Sequence, residues 1–199
     1  MKNKINLLGI IAILAMIGFG LAACEPEPDP CASCLKIGST GESGGKIIYH
    51  DHAGFNVAGL GTCYYLEAAP VNQGSSVSWS STNIDVTSAK GTTIGTGKAN
   101  TTAIITAHSG DSTSTNAAKA AAAYNGGGKN DWFLPSKDEL YEMYKAKTHL
   151  GISSGFFWSS SQLGSDDAWG QYFDIGDQSY ASKDFSYSNL IIVRAVRAF

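Results

Sequence analysis

Trp132-Phe133-Leu134-Pro135-Ser136-Lys137-Asp138-Glu139-Leu140 is the stretch that decides the fold. Ser136 and Glu139 have the S-x-x-E spacing of a capping box. In that motif the hydroxyl and the carboxylate satisfy backbone N–H groups that a first helical turn leaves over. Pro135 stands just before it, and Leu140, Met143 and Tyr144 follow at i, i+3, i+4 as a single apolar face. Asp138, Glu142, Lys145 and Lys147 fall mainly elsewhere. The pattern predicts a helix beginning at Ser136, with Trp132 stapling its entry.

On the C-terminal side the pattern turns to strand after Gly151. Phe156-Phe157-Trp158-Ser159 reads as one strand. Residues 168–174 read as another, with Trp169, Gln171 and Phe173 alternating against Gly170 and Tyr172. Ile175-Gly176-Asp177 is a turn, Gln178-Ser179-Tyr180 a return, and residues 190–199 a terminal strand. Val193, Ala195, Arg197 and Phe199 would share one face of that strand. On the N-terminal side, alanine-rich residues 116–124 stopped by Asn125-Gly126-Gly127-Gly128 predict another helix. Residues 46–50 and 63–68 read as strands, and 77–79 as a third short one. Residues 82–114 are rich in Thr, Ser and Gly, and only 102–106 form a clear apolar run. The expectation is an α+β domain with two helices packed on short antiparallel strands.

The beginning of the chain fixes the expected location. Lys2 and Lys4 precede an uncharged apolar run over residues 5–20, which ends in Leu21-Ala22-Ala23-Cys24. This is the three-part form of a secretory signal peptide. The run is shorter than the ~20 residues a membrane span needs. The ending resembles the lipobox of bacterial lipoproteins, which implies removal of residues 1–23 and acylation of Cys24 by a palmitate-type chain. Glu25-Pro26-Glu27-Pro28-Asp29-Pro30 reads as an extended tether within residues 24–35, leaving 36–199 as the folded domain. The chain is thus expected in the cell envelope, extracytoplasmic and held to a membrane by lipid. With 14 Lys+Arg against 17 Asp+Glu it lacks the basic footprint that a nucleic-acid partner requires. Cys31, Cys34 and Cys63 remain for disulfide chemistry. Cys31 with Cys34, or either with Cys63, is the structural bridge the spacing allows.

Gly44-Gly45-Lys46-Ile47-Ile48-Tyr49, Tyr65-Leu66-Glu67-Ala68-Ala69-Pro70 and Ile94-Gly95-Thr96-Gly97 combine with the 132–140 stretch, Phe157-Trp158-Ser159-Ser160-Ser161 and Val193-Arg194-Ala195-Val196-Arg197. Together they resemble the domain family named after the C-terminal domain of a Legionella collagen-like adhesin, formerly a domain of unknown function. The resemblance runs from about residue 37 to 199. It implies a C-type-lectin-like layout, related to the formylglycine-generating enzymes, and an adhesin-like, glycan-binding role. The name-giving adhesin binds sulfated glycosaminoglycans. A mildly acidic chain suits a polyanion poorly unless Lys129, Lys137, Lys145, Lys147 and Lys183 gather. Trp132, Pro135, Ser136, Glu139, Trp158, Trp169, Arg194 and Arg197 read as structural. Each arginine is expected to meet a carboxylate, with Asp131, Asp138 and Glu139 as candidates.

Four stretches carry residues whose types could support chemistry. Gly41-Glu42-Ser43-Gly44-Gly45 and Gly151-Ile152-Ser153-Ser154-Gly155 match G-x-S-x-G but lack the strand-then-helix context of a nucleophile elbow. Gly95-Thr96-Gly97-Lys98-Ala99-Asn100 fails the phosphate-loop pattern and reads as a tight turn. His50-Asp51-His52 is the best metal candidate. It would need a third ligand such as His108, and otherwise reads as a solvated turn at a strand end. Asp166, Asp167, Asp174 and Asp177 are the acids that could hold Ca2+, although no cofactor is expected.

The expected function is a lipid-anchored binding or adhesion module without catalysis, recognising a surface or host glycan. Asp166, Asp167, Asp174, Asp177, Gln178 and Tyr180, in loops over residues 166–189, offer the mixture of polar groups and flat rings a sugar requires. The alternatives are a cell-envelope enzyme related to the formylglycine-generating fold and a structural lipoprotein that binds other proteins.

Overall fold

The structure, a computed structural model, describes residues 34–80, 82–110, 115–184 and 191–199. Leu35–Phe199 form one compact unit. The expected signal peptide, Cys24 and the expected tether through residue 33 lie outside the described residues, as do 185–189 of the 166–189 segment. Among the described residues no helix is long and apolar enough to cross a membrane.

The domain is α+β, with two sheets and few helices. Strands β1 (Lys46–Val57), β2 (Gly61–Ala68) and β8 (Val196–Ala198) form an antiparallel sheet in the order β1-β2-β8. The second sheet has the order β3-β7-β4-β5-β6, from β3 (Gly74–Ser75), β4 (Phe156–Gln162), β5 (Asp167–Tyr172), β6 (Gln178–Ser182) and β7 (Ile191–Val193). Its β4–β7 pair is parallel. The end of the chain is therefore not one strand. β7 pairs in one sheet, β8 in the other, and Arg194-Ala195 carries the chain between them. Residues 77–79 form no strand: the short strand lies earlier, at β3.

Helix α3 (Lys137–Lys145) starts where the sequence places it. Ser136 Oγ accepts from Glu139 N at 3.3 Å, and Ser136 N donates to Glu139 Oε2 at 2.7 Å. Asn116 caps α2 (Ala117–Ala122) by accepting from Lys119 N. The two-helix expectation misses α1 (Gly97–Ala107) and the short α4 (Lys147–Leu150). The buried face of α1 is Gly97, Asn100, Thr101 and Ile104. That spacing is helical, but three of the four residues are not apolar, so no hydrophobic stripe announces it.

Two apolar clusters lie around this frame. Trp79, Ile104, Trp132, Leu134, Phe156 and Trp158 belong to one. Leu66, Phe133, Leu140, Met143, Phe157 and Phe173 belong to the other. Trp132 does not staple α3: its ring packs edge-on against Tyr124 and its N–H donates to Gly126 O. β4 is buried along its whole length, including Ser159, Ser160, Ser161 and Gln162. Such a strand needs partners for its side chains. Ser161 Oγ donates to Gly91 O and accepts from Lys137 N, and Ser159 Oγ donates to Trp169 O. The segments around Trp79 and Trp158 clasp each other. Trp79 Nε1 donates to Ser159 O at 2.8 Å, and Trp158 Nε1 donates to Val77 O at 3.0 Å.

Arg197 meets carboxylates as expected. It grips Asp131 with two hydrogen bonds of 3.0 and 3.1 Å and lies 3.5 Å from Glu67. Arg194 does not. Its guanidinium donates to Asn72 Oδ1 and Ala69 O instead, and burial lowers its pKa to about 10. Glu139 partners neither arginine. Cys34 is disulfide-bonded while Cys63 is a free, buried thiol, so the Cys34–Cys63 pairing is excluded.

Candidate ligand-binding face

β5 and β6 make an antiparallel hairpin at the edge of the second sheet, paired Trp169↔Tyr180 and Gln171↔Gln178. Alternation splits β5 into two faces. Ala168 and Gly170 face the core, where the Phe156 ring lies so close over Gly170 that a Cβ there would sit 2.3 Å from it. Trp169 and Gln171 face the other way, toward α3. Trp169 is thus partly exposed rather than core, because Phe156 already fills the space on the Gly170 side. Tyr180, 56% exposed, meets the Trp169 ring edge-on at 6.1 Å. Lys137 Nζ lies over the Trp169 ring at 4.0 Å.

The helix continues this surface. Gln178 Nε2 donates to Lys137 O at 2.9 Å and ties β6 to the start of α3. Tyr141, one turn beyond Lys137, is 42% exposed and lies beneath Lys145. Tyr144 carries Lys147 at 4.7 Å and packs against Phe173. Lys147 also donates to Phe173 O. Three lysines therefore each lie on an aromatic ring along α3 and α4. Beneath them Gln171 is fully buried, and its Oε1 lacks a hydrogen-bond partner.

The predicted loop residues are not brought together as one loop site. Asp166 and Asp167 stand at one end of the hairpin, and Asp174 and Asp177 at the turn, roughly 20 Å away at ~3.3 Å per residue. No shared Ca2+ site can include both pairs. Gln178 and Tyr180 lie on a strand. Tyr141 is the residue sequence reasoning missed, while Trp169 reads there as structural and Lys137 only as one of five lysines that could gather. The one available signal was Gln171, a polar residue two positions from Trp169 on the same face.

The five lysines do not form one patch. Lys183 is buried, donating to Ile84 O and Gln162 Oε1 and lying over Trp79 at 4.7 Å. Burial pushes its pKa down to about 8, against the pull of Asp85, Asp166 and Asp167. Lys129 sits 3.6 Å from Glu42.

The remaining candidates are scattered. Ser43 is buried with its backbone N–H on the Glu67 carboxylate, and Ser153 is exposed after α4. Gly95-Thr96-Gly97 is the tight turn that opens α1, and Gly95 N donates to Glu139 Oε1 at 2.8 Å. His50 and His52 lie within β1, not at a strand-end turn. His108 does not join them: it is buried at the end of α1, with Nδ1 3.5 Å from Thr82 Oγ1. In comparisons with known proteins, the chain matches no family model and no curated protein.

Proposed function

We propose that this chain is a lipid-anchored, extracytoplasmic binding module of C-type-lectin-like fold that recognises a glycan polymer without catalysis. The observation that carries the reading is the pairing of the partly exposed Trp169 with the exposed Tyr180 beside Lys137. Flat rings offer apolar faces to sugar C–H groups, while Lys137, Gln178 and Asp167 supply hydrogen bonds at the margin. The face lies on a strand pair and a capped helix, so its geometry is fixed before a ligand arrives. The lipobox resemblance and the acidic, proline-rich tether support display of this face away from a membrane. The resemblance of the 132–140 and 157–161 motifs to the adhesin domain family supports the same role.

The test is a glycan array probed with the full-length protein and with a Trp169→Ala/Tyr180→Ala variant. The expected result is binding to a defined glycan set that the variant loses by about tenfold or more, with thermal stability nearly unchanged. Equal binding by the variant, or no glycan bound by the parent, would sink the proposal.

A further inference from the structure

His50 and His52 stand outside the aromatic–lysine face. We propose that they form a surface site for a divalent transition-metal cation of the Cu2+ or Zn2+ type. The local backbone creates the pairing. Between His50↔Tyr65 and Phe55↔Cys63, β1 advances five residues while β2 advances two. The surplus is a bulge, a device that re-aims side chains at the edge of a sheet. Both rings are thereby brought together, their centroids 4.4 Å apart and their ligating atoms within 4.8 Å.

Two imidazole nitrogens on one cation, each at ~2.0–2.1 Å, stand roughly 3.3 Å apart for a tetrahedral angle. A closure of about 1.5 Å is within reach of ring rotation. His50 supplies the fixed half. Its ring stacks parallel on Tyr65 at 4.4 Å, and Tyr65 stacks in turn on Phe199 at 5.5 Å. His52 is exposed and supplies the solvent-facing half. Asp51 between them is committed to the bulge, its Oδ1 accepting from Ala53 N at 2.9 Å. Each imidazole has two nitrogens, so one can ligate while the other keeps a hydrogen bond. Cys34 Sγ is held in a disulfide and supplies no thiolate. The other coordination positions belong to water or to a small molecule. His50 also lines a cleft of about 360 Å3 with Tyr49, Glu142 and Lys145, which gives such a molecule room. Imidazole donors favour Cu2+ over Zn2+.

The test is calorimetric titration of the purified full-length protein with Cu2+ and separately with Zn2+, joined to electron paramagnetic resonance of the Cu2+ form. One equivalent should bind, Cu2+ more tightly, with a two-nitrogen signature. His52→Ala should weaken binding by about tenfold or more, while His149→Ala leaves it unchanged. His50→Ala should act like His52→Ala. If loss of the Tyr65 stack disturbs its fold, the exposed His52→Ala variant still decides. Absence of a saturable site, or binding unaltered by His52→Ala, would overturn the proposal.

Discussion

Glu67 and Glu139 are both fully buried carboxylates, and each is held by backbone N–H groups of a glycine-containing turn. Ser43 N and Gly45 N donate to Glu67. Gly95 N and Ser136 N donate to Glu139. In both cases glycine makes room: a Cβ on Gly41 would sit 2.5 Å from the Glu67 carboxyl carbon, and one on Gly97 would sit 2.1 Å from Glu139 Oε2. The difference is the cation. Glu67 shares Arg197 with Asp131 and Glu42, whereas Glu139 forms no ion pair among the described residues. A buried carboxylate set against an arginine loses that compensation when the arginine is removed. One held by N–H groups alone can relieve its burial by taking up a proton.

Arg197→Met should therefore give the largest effect. It removes the charge that Glu67 and Asp131 face and leaves a fully buried carboxylate uncompensated, a class of change that costs about 3–5 kcal/mol. Urea denaturation should show this loss, and a double variant Arg197→Met/Glu67→Gln should recover part of it. A loss under 1 kcal/mol would mean that the pair does not hold β2 to the end of the chain.

The second test uses pH, where Glu139 and Asp131, the exposed-side carboxylate on Arg197, have opposite signs. Burial raises the Glu139 pKa from 4.5 to about 7, against the pull of its N–H donors. The folded state then holds a proton that the unfolded state has already lost. Stability should fall as pH rises from about 4.5 to 7, and stay flat outside that window. At ~1.4 kcal/mol per pH unit the total approaches about 3 kcal/mol. For Asp131, burial pushes upward, but the hydrogen bonds and charge of Arg197 outweigh it and hold the pKa below 3.8. Its contribution is present above that value and lost on acidification. Together they predict greatest stability near pH 4–5, from denaturation curves recorded at pH 3 to 8. Glu139→Gln should flatten the neutral limb and leave the acid limb. An unchanged neutral limb would show that the N–H donors keep Glu139 ionised.

The contrast also marks what the sequence can tell. Ser136 and Glu139 act across three residues, and a local pattern of that kind is readable without the fold. The Asp131–Arg197 partnership was accessible as a demand, because a buried arginine needs an anion. Its failure at Arg194 was not, since Asn72 Oδ1 and a carbonyl meet that demand equally well. Helix α1 was hidden because its buried face is polar and is satisfied by distant groups. Asn100 Nδ2 donates to Gly91 O, and Thr101 Oγ1 accepts from Leu134 N. The candidate face was legible only in part. Tyr180 and Gln178 stand out by composition, whereas Trp169 reads as core on its strand pattern and the structure gives the core side of that strand to Phe156. Lys137 and Tyr141 enter through packing of α3 on β5, which no local spacing encodes.

The smallest effect belongs to Ser136, the residue that links Glu139 to the helix it caps. Its hydroxyl accepts from Glu139 N and donates to Thr93 O at 2.9 Å. Ser136→Ala removes both bonds but leaves Ser136 N on the carboxylate, because that donor is backbone. The expected cost is ~1 kcal/mol, the usual value for a lost N-cap. Glu139 keeps its Gly95 and Ser136 N–H donors in this variant, so the neutral limb of the pH profile should keep its slope while the whole curve drops. A limb running on to distinctly higher pH would show that the serine hydroxyl, beside the backbone donors, holds the carboxyl's pKa down. A cost above about 3 kcal/mol would show that Ser136 anchors the Thr93 turn as well as the helix.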